Sequence, residues 1–263
     1  TVASRRPRVA GRLDVSRPRA ITALILREMQ ARYGKSPGGY VWALLEPLGM
    51  ILILSYGFQL LLRSPSLGSS FILFYATGTL PYQMYGTMVQ VASNALSFNR
   101  ALLTYPVVLW IDALASRVIL NVLTAVLVGT ILLTAILVLV DARAILLFGP
   151  IVEAYLLAIA FGVGVGSINC VAYAFFPIWK SVYSIITRPL FLASGIIYIY
   201  EDLPRFAQEL IWWNPLIHIT ATMRSGFYPM YEPQWVDLTY VSAWAAVTVA
   251  LGLVLMRRYN RHV

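Results

Sequence analysis

Six apolar stretches decide what this chain can fold into: residues 40–62, 71–91, 113–140, 144–173, 182–200 and 236–256. A helix needs roughly 20 apolar residues to cross the hydrocarbon core of a bilayer, since each residue advances it by about 1.5 Å. All six are about that long. The third and fourth are longer, so they should tilt or project from the bilayer. Too little polar sequence remains to coat a water-soluble domain. Hydrophobic residues make up 59% of the 263 and charged residues 12%, against roughly 45–50% and 25% in soluble domains. The same figures exclude a disordered chain, which needs low hydrophobicity and high charge. The expected fold is an all-α integral membrane protein with six transmembrane helices. Residues 1–38 read as a basic cytoplasmic segment and 39–263 as the six-span domain.

The net charge of +9 raises the question of nucleic acid, and the position of the charges answers it. Nine of the twenty Lys and Arg precede residue 39, and Arg257, Arg258 and Arg261 close the chain. These clusters border membrane segments rather than forming a basic domain, which excludes a nucleic-acid partner. Threading six spans through a bilayer puts fifteen Lys and Arg on the side of the termini and four on the other. The positive side faces the cytoplasm, so both termini are expected there. The 38 polar residues before the first apolar run do not resemble a cleavable signal peptide.

Three segments are neither spans nor simple loops. Over residues 20–33, Ile21, Leu24, Ile25, Met29 and Tyr33 share one helical face, while Arg27, Glu28, Gln30 and Arg32 take the others. Glu28 and Arg32 have the spacing and order of a favourable helix pair. This predicts an amphipathic helix on the cytoplasmic membrane surface, joined to the first span through Pro37, Gly38 and Gly39. Residues 93–106 are cytoplasmic, yet Leu96, Phe98, Leu102, Leu103 and Tyr105 are too apolar for a solvated loop. Such a helix either rests on lipid or docks into a groove on a soluble partner. Residues 201–235 are exterior, with an apolar face of Leu203, Phe206, Leu210, Ile211, Trp212 and Trp213. Asn214 and Pro215 supply a helix cap and first residue. Two helices too short to cross should form a re-entrant hairpin that lines a cavity or pathway.

Catalytic and metal chemistry is thinly represented. Gly34-Lys35-Ser36 resembles the end of a phosphate-binding loop, but the required preceding glycine is replaced by Met29. Gly162, Gly164 and Gly166 lie inside an apolar span, where small residues serve close helix packing. A single cysteine, Cys170, and two histidines, His218 and His262, offer no metal cluster. His218, isolated among apolar residues, reads as structural. Glu46, Glu153 and Arg188 are ionisable groups within or near spans, where such groups are usually functional or paired. Aromatic residues, 13% of the chain, gather near span ends as an interfacial belt, Tyr82 and Tyr85 among them. Flat aromatic faces along a path would also suit a sugar polymer.

Three stretches carry a resemblance. They are Arg32-Tyr33-Gly34-Lys35-Ser36 running into Gly39-Tyr40-Val41-Trp42-Ala43-Leu44-Leu45-Glu46-Pro47, then Asn99-Arg100-Ala101-Leu102-Leu103-Thr104-Tyr105-Pro106, and Trp213-Asn214-Pro215-Leu216-Ile217-His218 with Arg224-Ser225-Gly226. Together they resemble the permease subunits of ABC transporters that export polysaccharides, most of all the capsular branch. The resemblance implies a homodimer in the bacterial inner membrane, bound to two copies of a separate ABC ATPase that holds the ATP and Mg. This chain itself would bind no cofactor and would not be an enzyme. The cargo implied is a lipid-linked acidic polysaccharide, handed on to periplasmic and outer-membrane export proteins. Leu96, Phe98, Asn99, Arg100, Leu103 and Tyr105 would carry the ATPase contact. Arg32, Lys35, Tyr40, Trp42 and Glu46 would lie at substrate entry, and Trp212, Trp213, Asn214, Pro215, His218 and Arg224 on the exit-path hairpin. The alternatives are an exporter of O-antigen or teichoic acid, or a proton-coupled secondary transporter using Glu46 and Glu153.

Overall fold

The computed structural model describes residues 13–33, 40–100, 109–140 and 145–259, and every regular element among them is helical. The helices are α1 (Leu13–Tyr33), α2 (Tyr40–Gln59), α3 (Phe71–Ser93), α4 (Ala95–Phe98), α5 (Trp110–Leu139), α6 (Phe148–Phe175), α7 (Trp179–Ala193), α8 (Arg205–Ile211), α9 (Pro215–Phe227) and α10 (Leu238–Tyr259). By length and composition, four of them can cross a membrane: Val41–Gln59, Trp110–Leu139, Phe148–Phe175 and Leu238–Tyr259. They match four of the expected spans to within a few residues.

The remaining two expected spans differ for separate reasons. α3 has 23 residues, enough to cross, but carries Thr77, Thr79, Gln83, Thr87 and Gln90. It lies at the centre of the bundle, packed against α2, α5, α6 and α9. A helix enclosed by protein has little lipid to face: Thr77 donates to the Phe74 carbonyl at 2.9 Å, and Gln83, Thr87 and Gln90 line a cavity. The stretch 182–200, expected to cross as one helix, instead stops at Ala193. The Ser194 hydroxyl donates to the Leu190 carbonyl at 2.5 Å, and Gly195 takes φ +66°, a conformation that glycine adopts without the steric cost of a Cβ. At about 1.5 Å per residue, the 15 residues of α7 cannot cover a 30 Å core.

Glycine lets α6 lie hard against its two main neighbours, α3 and α10. A Cβ on Gly166 would stand 2.6 Å from the Val89 carbonyl oxygen, and one on Gly162 2.7 Å from that of Tyr85. On the other side a Cβ on Gly164 would stand 2.6 Å from the Val249 nitrogen. Backbone cannot retreat as a side chain can, so overpacking here forces the helices apart. Gly166→Leu should destabilise the protein by about 2–3 kcal/mol, read as a lower melting temperature in detergent. Gly57→Leu is the control, because nothing lies within 4 Å of its Cβ position, and it should leave the melting temperature in place.

The N-terminal helix departs from its expected setting. It packs along α5, and Glu28, assigned to a polar face, is 4% exposed. Its carboxylate pairs with Arg117 at 3.1 Å. A carboxylate buried this far needs an opposite charge beside it to offset the loss of water, and Arg117 supplies one.

Candidate functional site

Three places bring polar or exposed functional groups together: the α4 region at the expected cytoplasmic end, the outward face of α3, and the hairpin of α8 and α9. Around α4, Leu96 is wholly buried among Ala92, Ala95, Leu114, Cys170 and Met256. It was expected on the docking surface and is instead an anchor, because α4 is too short to hold its position without one. Asn99 is buried too; its Nδ2 donates to the Ala95 carbonyl at 3.1 Å, and its Oδ1 accepts from Arg27 Nη2 at 3.1 Å. Phe98, 45% exposed, and Arg100 are the outward-facing members of the expected set. Leu103 and Tyr105 lie outside the described residues.

Of the expected entry group, Lys35 lies outside the described residues, as do the side chains of Arg32 and Tyr40. Trp42 is exposed, and Glu46 lines a cavity of about 300 Å³. That cavity runs between α2, α5 and the face of α3 bearing Gln83, Thr87 and Gln90. A second cavity, of about 390 Å³, lies on the other side of α3. Tyr82, Tyr85, Tyr173, Lys180 and Tyr183 line it, and it shares Tyr82, Gly86 and Gln90 with the first. Hydroxyls tie α3 to α7 here: Tyr82 donates to the Thr187 carbonyl at 3.3 Å, and the Tyr85 and Tyr183 hydroxyls lie 3.3 Å apart. Sequence reasoning assigned Tyr82 and Tyr85 to an interfacial belt and missed Gln83, Gln90 and Tyr183. The available signal was polar residues recurring at positions 83, 87, 90 and 94, one helical face of an otherwise apolar span.

The hairpin is clamped rather than open. Asn214 caps α9 as its sequence suggests: Oδ1 accepts from the Leu216 N–H at 3.1 Å, while Nδ2 donates to the Ala193 carbonyl at 3.0 Å. Pro215 occupies the first turn. His218 is wholly buried. Its Nδ1 accepts from the Asp237 N–H at 3.2 Å, which leaves Nε2 to carry the proton toward the Trp212 carbonyl at 2.9 Å. Burial pushes the imidazole below its ordinary pKa, opposed by that carbonyl and by the Asp237 charge. This is a neutral histidine holding two chain segments together. Trp212 stacks on Tyr240 with centroids 5.1 Å apart, and Trp213 stays 66% exposed.

Arg224 is 2% exposed in the second helix of this hairpin. Its Nη1 donates to the Tyr198 carbonyl at 2.8 Å and Nη2 to the Ile196 carbonyl at 2.9 Å, both in the turn after α7. The guanidinium carbon stands 4.1 Å from the centroid of the Phe74 ring. Gly78 makes room, since a Cβ there would lie 3.0 Å from Nη2. Pro215, His218 and Arg224, expected along an exit path, are therefore enclosed by protein in this conformation. The exposed apolar surface belongs to Phe206, Leu210 and Trp213. Glu153 and Arg188 are exposed on α6 and α7. No group of three or more metal-ligating side chains occurs among the described residues.

Comparison with known proteins decides among the readings. Residues 19–228 match the family model described as ABC-2 type transporter. The chain belongs to that family. The polysialic acid transport protein KpsM of Escherichia coli is 31% identical over 239 residues, covering 90% of this chain and 92% of its own length. The capsule polysaccharide export inner-membrane protein CtrC of Neisseria meningitidis is 27% identical, covering 93% of this chain and 92% of its own. The corresponding protein BexB of Haemophilus influenzae shows 27% identity with the same coverage.

Proposed function

We propose that this chain is the membrane permease subunit of an ABC exporter of capsular polysaccharide. The observation that carries the reading is similarity over nearly the full length of three transport proteins, two of them named for capsule export and the third for polysialic acid. On this reading ATP and Mg are handled by a separate ATPase subunit, and the permease works as a homodimer with two ATPase copies in the bacterial inner membrane. Six crossings, with α3 as the second and α7 completed by the non-helical chain after Ala193 as the fifth, leave both termini in the cytoplasm. The cargo is a lipid-linked, acidic polysaccharide, passed to periplasmic and outer-membrane export proteins.

Each step has residues suited to it on this reading. Arg32 and Lys35 of the basic segment, with Trp42, receive an anionic glycolipid, with attraction of about 1 kcal/mol per basic residue near an anionic surface. The tyrosines and glutamines beside α3 offer flat apolar faces and hydrogen-bonding groups to a sliding sugar chain. Phe98 and Arg100 meet the ATPase, and the exposed face of Phe206, Leu210 and Trp213 sits in the outer leaflet at the exit.

The test is reconstitution. Purified from membranes with its ATPase, the complex in proteoliposomes should hydrolyse ATP faster when lipid-linked anionic polysaccharide is added, and should carry that polymer across. Preference for a neutral or phosphate-rich polymer would point to O-antigen or teichoic acid instead. Transport driven by a proton gradient without ATP would overturn the reading.

A further inference from the structure

We propose that α1 and the ATPase-coupling segment move as one piece, keyed by the Glu28–Arg117 ion pair, which makes Arg117 a positioning residue for coupling. The inference rests on the coupling role of Phe98 proposed above and adds the element to which a push there is passed.

Three elements converge on residues 94–99. From α5, the Arg117 Nε meets Glu28 Oε1 at 3.1 Å, with side chains only 11% and 5% exposed. The same guanidinium donates through Nη1 to the Asn94 carbonyl at 2.7 Å, where α3 gives way to α4. Its carbon lies 4.4 Å from the centroid of the Phe98 ring. From α1, Arg27 Nη2 donates to Asn99 Oδ1 at 3.1 Å, and its guanidinium carbon lies 5.7 Å from the Phe98 centroid. One turn of α1 therefore holds the Asn99 end of this segment directly, through Arg27, and the Asn94 end through Arg117 of α5, with which Glu28 pairs.

The chemistry makes this contact stiff. Arg carries its donors in a rigid planar fork, so one side chain can hold a carboxylate and a carbonyl at fixed angles. A desolvated ion pair resists separation, because pulling it apart strands two buried charges. A displacement of Phe98 by a partner thus reaches α1 through Arg117 and Arg27 instead of being absorbed by a loop.

The experiment uses the reconstituted permease–ATPase complex and reads polymer exported per ATP hydrolysed. Glu28→Gln should leave the complex assembled and lower that ratio several-fold, with Arg117→Lys intermediate. A double variant, Glu28→Cys with Arg117→Cys in a Cys170→Ala background, should show the same loss. Bridging the two cysteines with a short, reducible bifunctional thiol reagent ties α1 back to α5 and should recover part of the ratio, and reductant should remove the gain. If the bridged protein stops exporting, α1 and α5 must separate during the cycle, and the inference fails. It fails equally if Glu28→Gln exports with an unchanged ratio, and that variant decides alone should the double-cysteine protein not assemble. Loss of coupling on substituting Phe98, with none at Glu28 or Arg117, would sink this inference and leave the proposed function standing.

Discussion

Arg224→Met should lower the melting temperature sharply and stop export, although the substituted side chain is apolar and of similar length. Methionine leaves the carbonyls of Ile196 and Tyr198, which Arg224 holds at 2.9 and 2.8 Å, without their donor. Hydrogen bonds to a charged group contribute about 1.5–3 kcal/mol each, so the loss is on the order of 4 kcal/mol. The turn after α7 would be released from α9, and the ring of Phe74 would lose its cation. Arg224→Lys should fall between, because a point charge on a flexible stem serves one carbonyl better than two. Gly78→Leu should reproduce the defect from the opposite side, since a Cβ there already lies 3.2 Å from the Ile196 carbonyl. Thermal unfolding in detergent, with export in proteoliposomes, measures both. An Arg224→Met protein as stable as the parent would mean that the clamp is not what holds the hairpin.

Phe98→Ala should weaken association with the ATPase by about 30-fold or more while costing the permease itself only about 1 kcal/mol, for its contacts with Arg117 and Arg27. A large apolar side chain at the middle of a docking surface typically contributes 2 kcal/mol or more to binding, which is that factor. Being 45% exposed, Phe98 gives the isolated permease little. Leu96→Ala should do the reverse. Leu96 is wholly buried, so truncation leaves a cavity and destabilises the permease by about 2–5 kcal/mol. Binding titrations against the purified ATPase, set beside melting temperatures, separate the two residues. Equal behaviour of both variants in both measurements would contradict the assignment of Phe98 to the interface and Leu96 to the anchor.

Much of the framework is legible in the sequence because it follows from local composition. The helices α2, α5, α6 and α10 come from apolar runs that bury their backbone polar groups by forming helices wherever lipid surrounds them. The Asn214 cap is also local, depending on one side-chain oxygen, and Gly162, Gly164 and Gly166 mark a close-packing face through the absence of a Cβ, whichever helices meet it. The three motif stretches reached the family without any coordinates, since they record what the chain type has in common.

What the sequence alone could not decide are the pairings between residues far apart in the chain. Glu28 pairs with Arg117, 89 positions away. Arg224 was assigned to a path and is spent on carbonyls 26 and 28 positions earlier. The break after Ala193 depends on that same distant guanidinium as well as on Gly195. The sequence therefore determined the four long apolar helices able to cross a membrane and the family they make. The tertiary structure decided which charges are partnered and which functional side chains are buried. The physical reason is that apolar transfer is counted residue by residue, whereas a buried charge is settled only by what happens to stand beside it.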